Sequence, residues 1–170
     1  MKYYFTADEH FSHGNIIKYC NRPFSSAEEM DNELIKRANS VVGKEDIVVH
    51  GGDFTLKGKR EADNYIRRLS GNHIFIKGSH DGWADSLPYV WEKKINDIYV
   101  VVCHYAMRVW PKSHYGSLLF YGHSHGRLEP EKNQWDIGVD NNNFYPISFG
   151  DLLKKLNIKG SNMRVSTHFV

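Results

Sequence analysis

The sequence predicts a single α/β domain over residues 1–170, with a parallel, helix-connected half followed by a more antiparallel half. Three observations predict it. Short strand-type runs alternate with amphipathic helical stripes up to Lys77. Beyond that point most of the strand-like runs are separated by turns and loops. Strand after strand also runs directly into Asp or His.

Lys2–Thr6 is an apolar and aromatic run of strand type. Ser26–Val42 carries Met30, Leu34, Ile35, Ala38, Val41 and Val42, the stripe of an amphipathic helix, with Ser26 and Glu29 spaced as a capping box. Asp46–His50 is the next strand. Ala62, Tyr65, Ile66 and Leu69 then stand at helical spacing within Lys59–Leu69, and His73–Lys77 follows as a third strand. This alternation implies right-handed crossovers and a parallel sheet with helices on its faces. Val90–Lys94 and Ile98–Cys103 read as strands joined by a hairpin turn at Asn96-Asp97. Ser117–Tyr121 and Gln134–Val139 are further strands, and Ser148 caps a short helix carrying Leu152, Leu153 and Leu156. The last ten residues fit an edge strand or a tail equally.

The chain is long enough at 170 residues to bury a core without disulfides. No apolar run of about 20 residues is present, so a membrane span is not expected. The two cysteines, Cys20 and Cys103, form no CxxC pair, which points to a reducing, cytoplasmic home and disfavours a structural zinc finger. A net charge of +2 argues against tracking long nucleic acid over a wide surface. Ten histidines are the compositional outlier.

Their positions matter more than their number. The first strand leads into Asp8-Glu9-His10, the second into Gly52-Asp53, the third into Gly78-Ser79-His80-Asp81. Ile98–Cys103 ends at His104, and Ser117–Tyr121 leads into Gly122-His123-Ser124-His125. Ligand crevices of α/β sheets lie outside the carboxyl ends of the strands, so five such ends would gather one cluster of carboxylates and imidazoles. Those donors suit Mn²⁺, Fe, Zn²⁺ or Ni²⁺. One carboxylate, such as Asp53, can bridge two ions. Glu9 is turned away from Asp8 and His10 by alternation.

In this order the motifs resemble the calcineurin-like metallophosphoesterases, in particular the small single-domain members of bacteria, archaea and phages. The resemblance implies a βαβαβ sandwich of two mixed sheets flanked by helices, and two divalent metal ions, Mn²⁺ before the other candidates. It implies that Asp8, His10 and His125 hold the first ion, that Asp53 bridges, and that His104, His123 and residue 79 hold the second. His80 would protonate the leaving group and Asp81 would orient His80. The implied reaction is phosphate-ester hydrolysis by a metal-activated hydroxide. The substrate expected is a small phosphodiester or nucleotide, including cyclic ones.

One position departs from the family pattern: Ser79 stands where the family has Asn. A hydroxyl on a shorter side chain is a weaker ligand. That opens an alternative reading, a weakened or inactive metal-binding scaffold of the same fold. For substrate contacts the sequence offers Asn15 just after the first motif, which fits the start of a short helix equally, and Arg108, Lys112 and His114 in the loop between two motif-bearing strands. Trp110 there fits base stacking or packing. His50, His73 and His168 read as structural or surface residues, and Asp140 with Asn141–Asn143 reads as a turn.

Overall fold

The computed structural model describes residues 1–129 and 131–158. The alternatives for the last ten residues, and His168, lie outside that range. Two four-stranded mixed sheets pack face to face, with helices over the outer face of the first.

The first sheet contains β1 (Tyr3–Thr6), β2 (Ile47–His50) and β3 (Asn72–Phe75), all parallel, in the order β3-β2-β1. Its connections are helical. α1 (Gly14–Tyr19) and α2 (Ala27–Val41) lie between β1 and β2, and α3 (Lys59–Arg68) lies between β2 and β3. Ser26 caps α2 by accepting from the Glu29 amide, as the spacing predicts; the Glu29 carboxylate reaches back one residue further, to the Ser25 amide. α1 is the short helix that Asn15 fits as a start; Asn15 is its second residue.

The second sheet contains β4 (Val90–Ile95), β5 (Ile98–Cys103), β6 (Leu118–Tyr121) and β7 (Gln134–Asp136). β4 and β5 form the expected hairpin. Asn96 and Asp97 both adopt positive φ, 46° and 67°, which suits a tight two-residue turn matched to strand twist. The expected antiparallel character stops there, because β5, β6 and β7 are mutually parallel. A short β8 (Ile147–Ser148) then returns to pair antiparallel with β1, followed by α4 (Phe149–Lys155).

Side-chain alternation builds the layers. Phe5 and Ala7 of the first sheet meet Val100, Val102, Leu118 and Phe120 of the second, all fully buried. The Phe5 and Phe120 rings pack edge to face with centroids 4.9 Å apart, a geometry worth about 0.5–1.5 kcal/mol beyond area burial. The intervening residues Val101, Cys103, Leu119 and Tyr121 face outward and are covered by Met107 and Trp110. On the other side, Met30, Leu34 and Ile35 of α2 and Ala62 of α3 close over Phe11 and Phe54.

One crossing brings the two sheets together at their carboxyl edge. The Ile137 amide donates to Tyr121 of the second sheet, while the Val139 amide donates to Ala7 of the first. Parallel direction therefore puts the ends of β1, β2, β3, β5 and β6 on one edge.

Candidate dinuclear metal centre

The loops leaving β1 and β2 stay paired beyond the strands. The Asp8 amide donates to Gly52 and the His10 amide to Asp53, both at 3.0 Å. The chain turns sharply there by using left-handed residues. Asp8, His10, Asp53, His123 and His125 all have φ between 49° and 65°. Asp and His tolerate that region better than most residues, but each still costs of the order of 1 kcal/mol or more, a cost found where function fixes the backbone. Two glycines allow the loops to meet. A Cβ on Gly52 would lie 2.7 Å from the Gly78 backbone and from His104 Nδ1, and one on Gly78 would collide with the Asp53 carboxylate.

Two donor groups result. Asp8, His10 and His125 offer ligand atoms within 4.8 Å of one another, and so do Asp53, His104 and His123. Asp53 lies between them: its Oδ2 is 3.6 Å from His10 Nε2 and 3.4 Å from His104 Nε2. Both ring nitrogens of His10 and Nε2 of His104 are buried with no hydrogen-bond partner among the described residues. An unpartnered buried polar atom costs about 1–3 kcal/mol, so these nitrogens fit divalent ions.

The surroundings set the tautomers. His104 Nδ1 lies 3.0 Å from the Gly51 carbonyl, which can only accept, so Nε2 keeps its lone pair. His125 Nδ1 lies 2.7 Å from Asp140 Oδ2. Asp140 is gripped in turn by Arg22, whose Nε and Nη2 donate at 2.8 Å, and Arg22 also donates to the Asp8 and Glu9 carbonyls. Cys20, His125 and Asp140 form a third close set, but His125 and Asp140 are already bonded to each other, so this set braces the first group.

Electrostatics follow from burial. Desolvation raises Asp8 well above the usual carboxylate range, against the His125 charge and the His123 amide. Burial would also raise Asp53, but the adjacent His104, the His80 amide and His10 together outweigh it and hold the group low. Burial pushes His10 down to about 3, and it lowers His123 as well. His125 is raised: burial opposes its charge, but the hydrogen bond to Asp140 and the nearby Asp8 win.

His80 stands beside the donors with its side chain 42% exposed and Nε2 3.9 Å from Asp53 Oδ2. Its amide donates to Asp53 Oδ1 at 2.8 Å. The Ser79 hydroxyl donates to the Asp53 carboxylate, 3.1 Å to Oδ2 and 3.3 Å to Oδ1. Asp81 is a correction. Its buried carboxylate accepts from the amides of Asp53, Phe54 and Gly78 and from the Trp83 indole, so it ties the backbone of the two loops and does not orient the His80 ring.

The expected substrate contacts fare less well. Asn15 is exposed at the start of α1, two positions after His13, whose ring centroid lies 5.4 Å from that of His10. Lys112 and His114 are a correction, while Arg108 follows Met107 in the same loop. Because β5 and β6 are parallel, the loop must run back along the sheet before β6 begins. The Met107 carbonyl already meets Gln134 at the amino end of β7, and Lys112 Nζ sits 3.8 Å above the Tyr99 ring near the start of β5. His114 packs on Tyr115, and Trp110 donates to the Ser117 carbonyl.

Arg22 and Asp136 carry no signal in the sequence as site residues, and Asp140 reads there only as a turn residue. Asp136 shapes the histidine loop by accepting from Ser124 Oγ and from the amides of Gly126 and Gly138. Glu9 does turn away from the donors and bonds His50, which bonds His73.

Fold and site together define a two-sheet α/β protein with a paired carboxylate–imidazole centre at the carboxyl edge of its strands. The uncharacterised protein MJ1445 of Methanocaldococcus jannaschii is 35% identical over 172 aligned positions, spanning 96% of this chain and 95% of that protein, and the chain belongs to its family. The gene 66 protein of Mycobacterium phage L5 is 37% identical over 82 residues, 46% of this chain and 39% of the phage protein. Among solved structures, AQ665 of Aquifex aeolicus, a protein of unknown function, shares the fold with TM-score 0.69 at 22% identity, covering 91% of this chain and 98% of its own. The sequence matches no family model. No helix among the described residues is long and apolar enough to cross a membrane.

Proposed function

We propose that this protein is a metal-dependent phosphoesterase, acting as a phosphodiesterase on small nucleotide-type or cyclic substrates in the cytoplasm. One observation carries the reading: two three-donor groups meet at Asp53 Oδ2, flanked by unpartnered nitrogens of His10 and His104.

Asp8, His10 and His125 would hold one divalent ion, and His104, His123 and Ser79 the other, with Asp53 shared; Mn²⁺ is the first candidate, then Fe, Zn²⁺ or Ni²⁺. When bound, such a pair supplies Lewis acidity and makes hydroxide available near neutral pH. The protein contributes alignment and a proton. Asp81 and the Asp53–His10 backbone pairing keep the bridging carboxylate in place. His80, half-exposed at the rim, delivers a proton from its ring to the departing ester oxygen. His13, whose ring centroid is 6.1 Å from that of His80, and Asn15 form the polar rim.

The test is hydrolysis of an aryl phosphodiester and an aryl phosphomonoester by metal-stripped protein titrated with Mn²⁺. Turnover should appear with metal and favour the diester. His80→Asn should slow a poor, alkyl leaving group by about 10²–10³-fold and a nitrophenolate much less. A folded protein that binds Mn²⁺ but turns over no phosphate ester would favour the scaffold reading, for which the Ser79 contact to Asp53 is the supporting observation.

A further inference from the structure

The donor groups are flanked by two depressions of different character. Beyond His10, a groove of about 400 Å³ holds Ser12, Glu28, Asp31, Lys57, Tyr65 and Arg68. Its charges are mixed and largely spent: Asp31 accepts from the Ser12 amide and the Tyr65 hydroxyl, and Arg68 donates to Asn32. Beyond His125, a basin of about 290 Å³ is lined by Lys18, Tyr19, Cys20, Asn21, His125 and Arg127. That lining contains two cations and no carboxylate.

Those cations are available. Neither Lys18 nor Arg127 joins an ion pair among the described residues. Among the described residues the Arg127 guanidinium makes one bond, from Nη2 to the Tyr19 carbonyl at 3.0 Å, which fixes it to the end of α1 and leaves its remaining N–H groups without a partner there. The carboxylate beside Cys20 and His125, Asp140, is taken up by Arg22 and His125. Burial raises the Cys20 thiol, so it adds no negative charge. The Tyr19 ring is 66% exposed beside them.

We infer that this basin is a subsite for a second phosphate of the substrate, reached from a scissile phosphate at the donor groups by way of His125, with Lys18 and Arg127 as the recognising residues. It rests on the phosphoesterase reading and narrows the substrate to nucleotides carrying two separated phosphates. Guanidinium and ammonium groups recognise phosphate by charge-assisted hydrogen bonds, and the exposed Tyr19 offers a flat apolar surface for the sugar or base between.

The test uses a matched pair of esters, thymidine 5′-(p-nitrophenyl phosphate) with and without a 3′-phosphate, and the Mn²⁺-loaded full chain. The 3′-phosphate should raise kcat/KM about tenfold. That ratio should fall to about one in Lys18→Ala and shrink with added salt, since exposed charges are screened. Arg127→Lys should keep part of it and Arg127→Ala should lose it. Calorimetric binding of thymidine 3′,5′-bisphosphate against thymidine 5′-phosphate runs alongside, so the subsite is decided even without turnover. A wild-type preference for the bisphosphate of about tenfold, lost in Lys18→Ala, supports the subsite. Equal affinities in the wild type, or a preference that survives Lys18→Ala and Arg127→Ala, overturn it. Failure to hydrolyse either ester counts against the phosphoesterase reading alone.

Discussion

The two donor groups are built to different depths. Asp8 and His10 are buried, and His125 is held by a carboxylate that is itself clamped by the buried guanidinium of Arg22. Asp53 and His104 are buried too, but His123 is exposed and the position beside it is Ser79, whose hydroxyl is spent on Asp53. Outer partners of metal-bound histidines sharpen ligand orientation and raise basicity. The first group should therefore bind an ion tightly and keep it. The second should fill later and empty first.

Variants can break or sharpen that contrast. The largest effect belongs to the residue the groups share. Asp53→Asn should lower Mn²⁺-dependent kcat/KM by about 10³-fold, several kcal/mol of transition-state stabilisation, and weaken both ions in calorimetry; an effect confined to one ion would show that Asp53 does not bridge. Next comes the brace. Asp140→Asn should cost about 10–100-fold in affinity for the tighter ion alone and lower the melting temperature, because Arg22 loses a buried partner. Loss of the weaker ion instead would reverse the ranking of the groups. Ser79→Asn acts from the other side, supplying an amide oxygen, and should tighten the weaker ion about tenfold while leaving the tighter one unchanged.

The smallest effect tests the region behind the site. His73 is pushed down to about 4, first by burial and then by His50. An unfolded histidine titrates near 6.5. Between about pH 6.5 and 4 the unfolded chain thus binds the extra proton, and stability falls as pH falls through that window. Urea midpoints of the metal-free protein should show the slope, and His73→Gln should make it shallower while the share from buried His10 remains; an unchanged slope would assign the acid sensitivity elsewhere.

Most of this centre could be read from strand ends, because Asp and His following apolar runs converge whenever those strands are parallel. The same rule shows where the reading broke. His104 and His123 reach one edge only if β5 and β6 are parallel, and a parallel pair carries its connecting loop away from that edge. Lys112 and His114 therefore could not border the site, although the chain places them between its two motifs. The hairpin signal of Asn96-Asp97 was local and held; the direction of β6 and β7 depended on long-range pairing that no local pattern encodes. Arg22 and Asp140 are 118 positions apart, and neither lies in a motif. Asp140 reads as a turn residue and does sit in a 3₁₀ turn, Val139–Asn141, but its carboxylate faces His125. Asp81 stands in its motif but serves another partner, since five donors from two loops take its oxygens.

The most direct test is a stepwise Mn²⁺ titration of metal-stripped protein, with binding heat and diester hydrolysis followed on the same samples. The account predicts two ions per chain in two affinity classes, with turnover appearing as the weaker class fills. A single bound ion, or full turnover once the first has bound, would contradict it.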